Sequence, residues 1–151
     1  MSEEVWLAEA TNSEATNLPA VRLLRFPLIA EPRGSLSYGQ YDEQLPFIPF
    51  RYFIVFDVPD TEVRGNHAHK SVSQTLICVK GSCVITIDDG RNRDRVVLDR
   101  PDAGVFIPPL VWATQQKFSG DAVLMVLSSE GYDPDEYIRD YDEFMRMVEH
   151  R

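Results

Sequence analysis

The feature that most constrains the fold is a succession of short apolar and β-branched runs, which turn residues interrupt every few positions. The clearest run covers residues 51–58, where aromatic and β-branched side chains predominate as they do in strands. Many short strands at this spacing are typical of a sandwich or barrel. Since 151 residues are enough for one domain with a sizeable core, we predict a single all-β domain.

Two hairpins are predicted in the middle of the chain. Gln74–Lys80 and Cys83–Asp88 are separated by residues 81–82, which are Gly-Ser. The second of these strands and residues 93–99 are separated by a turn that contains Asp-Gly at residues 89–90. Glycine-containing loops of this kind are common between paired antiparallel strands.

The two ends of the chain depart from the strand pattern. Residues 1–17 are polar and acidic with little periodicity, which predicts a flexible tail before a domain over residues 18–151. Near the other end, Asp133 and Pro134 have the sequence of an N-cap followed by proline at the first helical position. Helical spacing of apolar residues then predicts one amphipathic helix packed on the barrel, through Ile138, Tyr141, Met145 and Val148.

Charge and cysteine content restrict the partners and the compartment. Fifteen Lys and Arg against 24 Asp and Glu give a net charge of −9, which argues against nucleic acid or an anionic membrane as a partner. No apolar run has the length of a membrane span, and the acidic N-terminus lacks the apolar segment of a signal peptide. Cys78 and Cys83 lie in apolar runs, which predicts buried free thiols and a cytoplasmic location.

Residues 64–70, Arg-Gly-Asn-His-Ala-His-Lys, contain two of the three histidines of the chain. On a strand, His67 and His69 point to the same face because the side-chain period is two. Two adjacent imidazoles disfavour double protonation, so that one stays neutral near pH 7. A neutral imidazole in a barrel interior is suited to general acid and base catalysis.

The histidine pair resembles part of the first cupin motif, because Gln74 and Gly81 follow His69 at the offsets of that motif. Residues 104–113 resemble the second motif. Metal-binding cupins have a glutamate where this chain has Gln74, and a further histidine where it has Ala113. Two imidazoles and a neutral amide are too few ligands for a stable divalent site, so we predict no metal and no other cofactor.

A longer set of residues recurs in order along the chain: Arg33-Gly34-x-Leu36, Arg64-Gly65-x-His67-Ala68-His69-Lys70, Gln74-x-Leu76, Asp88-Asp89-Gly90, Pro109-x-x-Trp112, Phe118-Ser119, residues 123–127, Tyr132-Asp133 and Tyr137-Ile138-Arg139-x-Tyr141. This pattern resembles the WxcM-like sugar nucleotide 3,4-ketoisomerases, a family of the cupin superfamily, from about residue 21 to residue 148. The resemblance implies a cupin-type antiparallel β-barrel, or jelly roll, with a C-terminal α-helix.

The resemblance also implies a function. Family members move a carbonyl between C4 and C3 of a nucleotide-linked deoxysugar, so the expected ligand is a dTDP-4-keto-6-deoxyhexose. His67 matches the position of the base, and His69 is expected to act as a second acid or base or to orient the substrate. The expected substrate-binding residues are Arg33, Arg64, Lys70, Gln74, Trp112 and Phe53. The family and the exposed sheet edges imply a homodimer, with Arg33 on a neighbouring or swapped strand.

Three other functions stay open at the level of sequence. An epimerase would use the same deprotonation at C3 and return the proton to the opposite face. A sugar-nucleotide-binding cupin without turnover is compatible with Phe53, which stands where relatives have a tyrosine that assists proton transfer, and with Ala113. A metal-dependent dioxygenase is disfavoured by Ala113. Trp112 suits the core as well as a ligand wall, and a packing role is predicted for Tyr137, Ile138, Tyr141 and Phe144.

Overall fold

A computed structural model describes residues 16–150 of the chain. The predicted tail over residues 1–17 therefore lies outside the described residues except for its last two positions. There the backbone amide of Asn17 donates a hydrogen bond to the carboxylate of Asp94 at 2.9 Å. Within residues 16–150, no helix combines the length and the apolar character that crossing a membrane requires.

The described residues form twelve strands, which pair antiparallel in two five-stranded sheets and one separate hairpin. Sheet I has the order β1-β9-β6-β11-β4, sheet II has the order β12-β5-β10-β7-β8, and β2 pairs only with β3. The strands are β1 Arg22–Arg25, β2 Leu28–Glu31, β3 Gly34–Ser37, β4 Arg51–Phe56, β5 Arg64–His69, β6 Gln74–Lys80, β7 Cys83–Asp88, β8 Arg93–Leu98, β9 Ala103–Ile107, β10 Trp112–Gln116, β11 Val123–Ser128 and β12 Tyr137–Ile138. The predicted all-β, antiparallel architecture is confirmed.

The main core lies between the two sheets, and strand alternation decides which residues enter it. On β6, Leu76 and Cys78 join this core, whereas Ile77 packs in a separate cluster. On β7, Ile85 and Ile87 enter the same core from sheet II. Both cysteines are buried free thiols, as their apolar surroundings predicted.

The first of the two predicted hairpins is wrong. Strand β6 pairs with β9 and β11 in sheet I, whereas β7 pairs with β8 and β10 in sheet II, so residues 81–82 turn the chain from one sheet to the other. Gly81 has a φ of +69°. Ser82 is fixed to the β10–β11 loop, because its amide donates to Ser119 Oγ at 2.9 Å and its carbonyl accepts from Ser119 N at 2.9 Å. The second hairpin, β7–β8, is confirmed.

The C-terminal helix exists but begins later than the spacing indicated. Asp133 caps only a single 3-10 turn, Pro134–Glu136, and the chain then returns to extended structure as β12, which pairs with β5. Helix α1 is Tyr141–Glu149, and its N-cap is Asp140, whose carboxylate accepts from the amide of Glu143 at 3.0 Å. Ile138 therefore belongs to a strand, although its spacing also suits a helix.

Helix α1 covers the outer face of sheet II. Phe144 is fully buried there and packs with Ala68 of β5, Trp112 of β10 and Ile138 of β12. Because Ala68 lies between the two histidines on β5, this packing fixes the outer side of the strand that carries them on its inner side.

The sheet-to-sheet turn gives a first prediction. We expect Gly81→Ala to lower the free energy of unfolding by roughly 2–4 kcal/mol, because alanine is strained at positive φ and a methyl group has no room there. A Cβ at this position would lie 2.6 Å from Asp121 Oδ1 and 2.8 Å from Ala122 Cα. Urea unfolding measures the change.

Gly120→Ala is the matched control, because a Cβ at Gly120 meets no atom within 4 Å and the residue lies in the same loop region. We expect a change of less than about 0.5 kcal/mol for this variant, as for other unconstrained surface positions. Equal effects of the two substitutions would contradict the assignment of residues 81–82 as a constrained corner.

Candidate active site

A cavity of about 340 Å³ opens between the two sheets at one end of the barrel. Its lining comes from strands of both sheets and from the segment at β12: Arg51, Phe53 and Val55 of β4, Arg64, Gly65 and His67 of β5, Gln74 of β6, Gln115 of β10, and Tyr137 and Arg139. Four predicted site residues besides His67 therefore meet in one place, namely Phe53, Arg64, Gln74 and the neighbouring His69.

His67 is held in one tautomer by a backbone contact. Its Nδ1 lies 3.0 Å from the carbonyl oxygen of Gly65. A carbonyl only accepts hydrogen bonds, so Nδ1 carries the proton and Nε2 keeps a free lone pair. Burial lowers the pKa of His67, the Gly65 contact opposes this shift, and the positive charge of Arg139 adds to it. At neutral pH, His67 is therefore a neutral imidazole with a basic nitrogen.

His69 is buried more deeply, with 9% of its surface exposed. Among the described residues, neither of its ring nitrogens has a hydrogen-bond partner. Burial, together with the adjacent His67, lowers the pKa of His69 to about 4, while Glu136 opposes the shift. Buried polar groups in native proteins are normally satisfied, so two unpartnered nitrogens next to the cavity residues His67 and Tyr137 favour a bound ligand or water there.

Tyr137 on β12, the strand that pairs with β5, lies against both histidines. Its ring centroid lies 4.8 Å from that of His67 and 4.6 Å from that of His69, and the two imidazoles are 4.9 Å apart. The packing role that the sequence predicts for this tyrosine follows from the helix expected over the same segment, and within this chain the prediction is wrong because residues 137–138 form a strand. The signal that could have placed it inside is the alternation of Tyr137 with the fully buried Ile138, which on a strand point to opposite faces.

Three arginines give the cavity its positive charge. Arg51, Arg64 and Arg139 all line it, yet only Arg64 was assigned a role from the sequence. Arg51 stacks over the ring of Phe53, with its guanidinium carbon 4.8 Å from the ring centroid. Gln74 donates from Nε2 to Ser128 Oγ at 3.2 Å, which holds its amide at the cavity wall. The arrangement suits an anion with several hydrogen-bond acceptors.

Three predicted substrate-binding residues do not line the cavity. Trp112 lies on the outer face of sheet II, where its ring packs on Tyr141 and Phe144 and its Nε1 donates to Asn66 Oδ1 at 3.2 Å. By strand parity, Trp112 points away from the histidines, so within this chain it is a core residue rather than a wall of the cavity. The reason is that Ala113, the next residue, takes the inward position.

Lys70 and Arg33 are the other two predicted substrate-binding residues that do not line the cavity. Lys70 follows the last residue of β5, is exposed, and is tied through its backbone amide to the carbonyl of Glu136 at 3.0 Å. Arg33 lies in the turn of the β2–β3 hairpin, where its side chain is 87% exposed and its Nε contacts Glu31 Oε2 at 2.6 Å. Neither side chain reaches the cavity of its own chain.

The register of sheet II shows where the second-motif histidine of metal-binding cupins would lie. Ala113 lies opposite His67 in the β10–β5 pairing, so a methyl group occupies the position from which metal-binding cupins contribute a histidine. Within residues 16–150, no three His, Cys, Asp or Glu side chains are grouped so that they could hold a metal ion. The absence of a metal from the functional protein stays a prediction.

Comparison with known proteins agrees with this architecture. The family model described as "FdtA: WxcM-like, C-terminal" matches residues 19–149. The chain belongs to this family. A curated relative, the TDP-4-oxo-6-deoxy-alpha-D-glucose-3,4-oxoisomerase of Aneurinibacillus thermoaerophilus, is 39% identical over 127 residues, which cover 84% of this chain and 91% of the relative.

Two solved structures extend the comparison. A 3,4-ketoisomerase from Helicobacter canadensis superposes with a TM-score of 0.83 at 42% identity, over 86% of this chain and 98% of that one. A histidine-to-asparagine variant of the 3,4-ketoisomerase QdtA from Thermoanaerobacterium thermosaccharolyticum, in complex with TDP-4-keto-6-deoxyglucose, gives a TM-score of 0.86 at 34% identity, over 89% and 97% of the two chains. The resemblance inferred from the sequence is confirmed.

The burial of His69 gives a second prediction, on stability against pH. Its folded-state pKa is about 4, against 6.5 for a free imidazole, so the unfolded chain binds the proton first as the pH falls. Stability from this residue is therefore retained above pH 6.5 and lost between pH 6.5 and about 4, by roughly 3 kcal/mol. Urea unfolding of the wild type and of His69→Gln at several pH values measures the difference in slope.

His150→Gln is the control, because this histidine is exposed beyond the end of α1 and outside the cavity. We expect His150→Gln to keep the wild-type loss of stability and His69→Gln to reduce it. If the two variants had the same pH dependence, the burial of a neutral His69 would be contradicted.

Proposed function

We propose that this protein is a sugar nucleotide 3,4-ketoisomerase, which converts a TDP-4-keto-6-deoxyhexose to its 3-keto isomer. The observation that carries the proposal is a pair of neutral imidazoles, the half-buried His67 and the buried His69, at a cavity that three arginines line. The 39% identical relative is a TDP-4-oxo-6-deoxyglucose 3,4-oxoisomerase, and the QdtA variant binds the corresponding TDP-4-keto sugar. Both support the same substrate class for this chain.

The chemistry needs one base and one path for a hydroxyl proton. His67 Nε2 takes the proton from C3, and the electron pair of that C–H bond forms the C3=C4 double bond of an enediolate. Transfer of the O3 proton to O4 and return of the proton from His67 to C4 leave the carbonyl at C3 and a hydroxyl group at C4. The free lone pair on His67 Nε2 suits it to the first step, and the unpartnered nitrogens of His69 suit it to the exchange between O3 and O4.

The arginines that line the cavity suit the diphosphate of the substrate and the oxyanion that forms during the reaction. Guanidinium groups pair well with diphosphate oxygens and stabilise an oxyanion, so Arg51, Arg64 and Arg139 are the proposed contacts for these groups. The amide of Gln74 is placed to hydrogen-bond a sugar hydroxyl, and Phe53 provides an apolar wall on β4. The proton transfers proposed for these residues involve no change of the overall oxidation state of the sugar and need no metal. We therefore propose that the enzyme uses no cofactor.

The third prediction concerns the reaction in deuterated water. We expect the protein to convert TDP-4-keto-6-deoxyglucose to a 3-keto sugar that carries solvent deuterium at C4, which proton NMR detects. Deuterium at C3 with the ketone still at C4 would instead identify an epimerase. The absence of any exchange would identify a binding protein without turnover.

Metal analysis of the active protein tests the proposal that the enzyme uses no cofactor. A stoichiometric first-row metal in the active protein would contradict this proposal.

His67→Ala is the decisive variant in the same assay. It should abolish exchange while the affinity for TDP stays within about tenfold, because a base acts mainly in the transition state. His150→Ala is the control and should exchange at the wild-type rate, since this histidine lies outside the cavity. A comparable loss of TDP binding in His67→Ala would contradict the assigned role.

We also propose that the protein is a homodimer, because one face of sheet I presents an unusual amount of apolar surface. On the edge strand β4, the outward side chains Tyr52, Ile54 and Phe56 are 66%, 44% and 60% exposed. A contiguous apolar face beside an open strand edge is typical of an interface rather than of a free surface. A second copy of the chain is the proposed occupant.

The dimer would also give Arg33 access to a site. The β2–β3 hairpin pairs with neither large sheet, and Leu28, Ile29 and Leu36 on it are exposed by 48%, 48% and 56%. An apolar hairpin of this kind is suited to lie against a partner. We propose that Arg33 at its turn contacts the substrate in the partner's cavity, because it does not reach the cavity of its own chain.

The fourth prediction tests the dimer. Ile54→Asp should shift the sedimenting species from dimer to monomer, because a buried unpaired carboxylate is costly in an apolar interface. The monomer should remain folded by circular dichroism but lose isomerase activity, since Arg33 could no longer reach a partner's cavity. Val63→Asp, at an apolar residue that is 51% exposed and outside the sheets, is the control and should stay dimeric. A monomeric wild type would contradict the proposal.

Domain organisation and location complete the proposal. The family match over residues 19–149 supports one domain over residues 18–151. The two buried free thiols, Cys78 and Cys83, support a cytoplasmic location, where thiols stay reduced.

A further inference from the structure

The rings of His67, His69 and Tyr137 form a closed triangle, with centroid separations between 4.6 and 4.9 Å. The two imidazoles are perpendicular to each other, at an interplanar angle of 90°. Tyr137 meets them at 66° and 57°. Its ring therefore touches both imidazoles at once, and neither of them can tilt toward the space it occupies without displacing it.

The backbone of Tyr137 is fixed from both sides. Before it, the 3-10 turn is capped by Asp133 and bonded through Glu136, whose carbonyl accepts from Lys70 N at 3.0 Å and whose carboxylate accepts from Ser71 N at 2.9 Å. After it, Ile138 is fully buried beneath α1. Within β12, Tyr137 lies opposite His69 in the pairing with β5. A residue whose backbone is held this firmly presents its ring to the histidines from a fixed position.

Arg139 is placed by the same ring. Its guanidinium carbon lies 4.4 Å from the centroid of Tyr137, which is a favourable cation–π distance. Arg139 is otherwise exposed at the rim of the cavity. Because long arginine side chains lose much rotamer freedom on binding a ligand, a stacking surface reduces the entropy lost when the guanidinium engages a substrate.

We propose that Tyr137 is the positioning residue of the site, whose aromatic ring holds His67 and His69 in their perpendicular arrangement, excludes water from them and orients Arg139. The ring, and not the phenol hydroxyl, has this role. The proposal goes beyond the assignment of the histidines as acid and base and rests on the proposed function only for its kinetic test.

The ring acts on the histidines through solvent. Burial is the largest cause of the lowered pKa of both imidazoles, so a smaller side chain at position 137 would admit water and raise both pKa values. The charged and titratable groups that face His69 are His67 on β5, Glu136 in the 3-10 turn, Arg139 after β12 and Arg51 on β4. The substitution removes none of these groups, although Arg139 would lose its stacking surface.

The first arm of the test compares Tyr137→Phe with Tyr137→Leu. Tyr137→Phe keeps the ring and should retain kcat/KM within about threefold, with an unchanged pH profile. Tyr137→Leu should lower kcat/KM on the order of 10–100-fold, mainly through kcat, because misplaced catalytic groups reduce turnover more than affinity. The acid limb of its profile should move to higher pH by at least about half a unit. Tyr41→Leu, which changes an exposed tyrosine that does not line the cavity, is the control and should match the wild type.

The second arm does not depend on catalysis. Proton NMR follows the ring Cε1–H signals of the histidines against pH in the wild type and in the Tyr137 variants, with signals assigned from single His→Gln substitutions. Tyr137→Leu should raise the titration midpoints of His67 and His69, and Tyr137→Phe should leave them unchanged. If the wild type failed to isomerise the sugar, the proposed function would fail, while this titration would still decide the role of Tyr137.

Two results would overturn the inference. A loss of activity in Tyr137→Phe as large as in Tyr137→Leu would show that the phenol hydroxyl takes part in proton transfer. Unchanged histidine titration in a Tyr137→Leu protein that is folded by circular dichroism would show that the ring does not control the imidazoles. The Phe variant keeps the test valid even where the Leu variant does not fold.

Discussion

The site depends on the pairing of β5 with β12. Strand β5 turns His67 and His69 to the inner face and Ala68 to the outer face, and β12 supplies Tyr137 inside and Ile138 outside in the same alternation. Both imidazoles are thereby shielded from water, and the nearby Glu136 does not outweigh the effect of burial on His69. Burial then favours the uncharged form, which keeps both imidazoles unprotonated, and so able to accept a proton, at neutral pH.

Much of this arrangement could be predicted from the sequence, because it follows from strand parity and from motifs with fixed spacing. A period of two predicted that His67 and His69 share one face, and their rings lie 4.9 Å apart in the structure, whereas the family resemblance pointed to Phe53, which lines the cavity. The same parity also excludes Trp112 from the cavity once Ala113 is placed inside, although the sequence alone does not reveal the bulge between Ala113 and Thr114. Motif spacing locates a residue on a strand more reliably than it locates that strand in a sheet.

The elements that could not be predicted have physical reasons. Strands β6 and β7 are both rich in apolar residues, so their patterns do not reveal that they belong to opposite sheets and that Gly81 turns between them. At the C-terminus, the two-residue strand β12 is too short to show a period, and Asp133 caps a single turn as well as it would cap a helix. For that reason the sequence predicts a packing role for Tyr137 rather than a place in the cavity lining. Arg51 and Arg139 were missed because their roles arise from strand pairing across long sequence separations.

The two faces of β5 have separate functions, which affects how such an enzyme can evolve. Arg64, Gly65 and His67 line the ligand cavity, whereas Asn66 and Ala68 contact the aromatic packing under α1. Gly65 has a φ of +77°, and the two histidines are the proposed acid and base, so the inner face of β5 has little freedom to change. Selectivity among related sugars is therefore expected to vary through cavity residues on other strands, such as Phe53 and Gln115, while the packing under α1 continues to select for the same barrel.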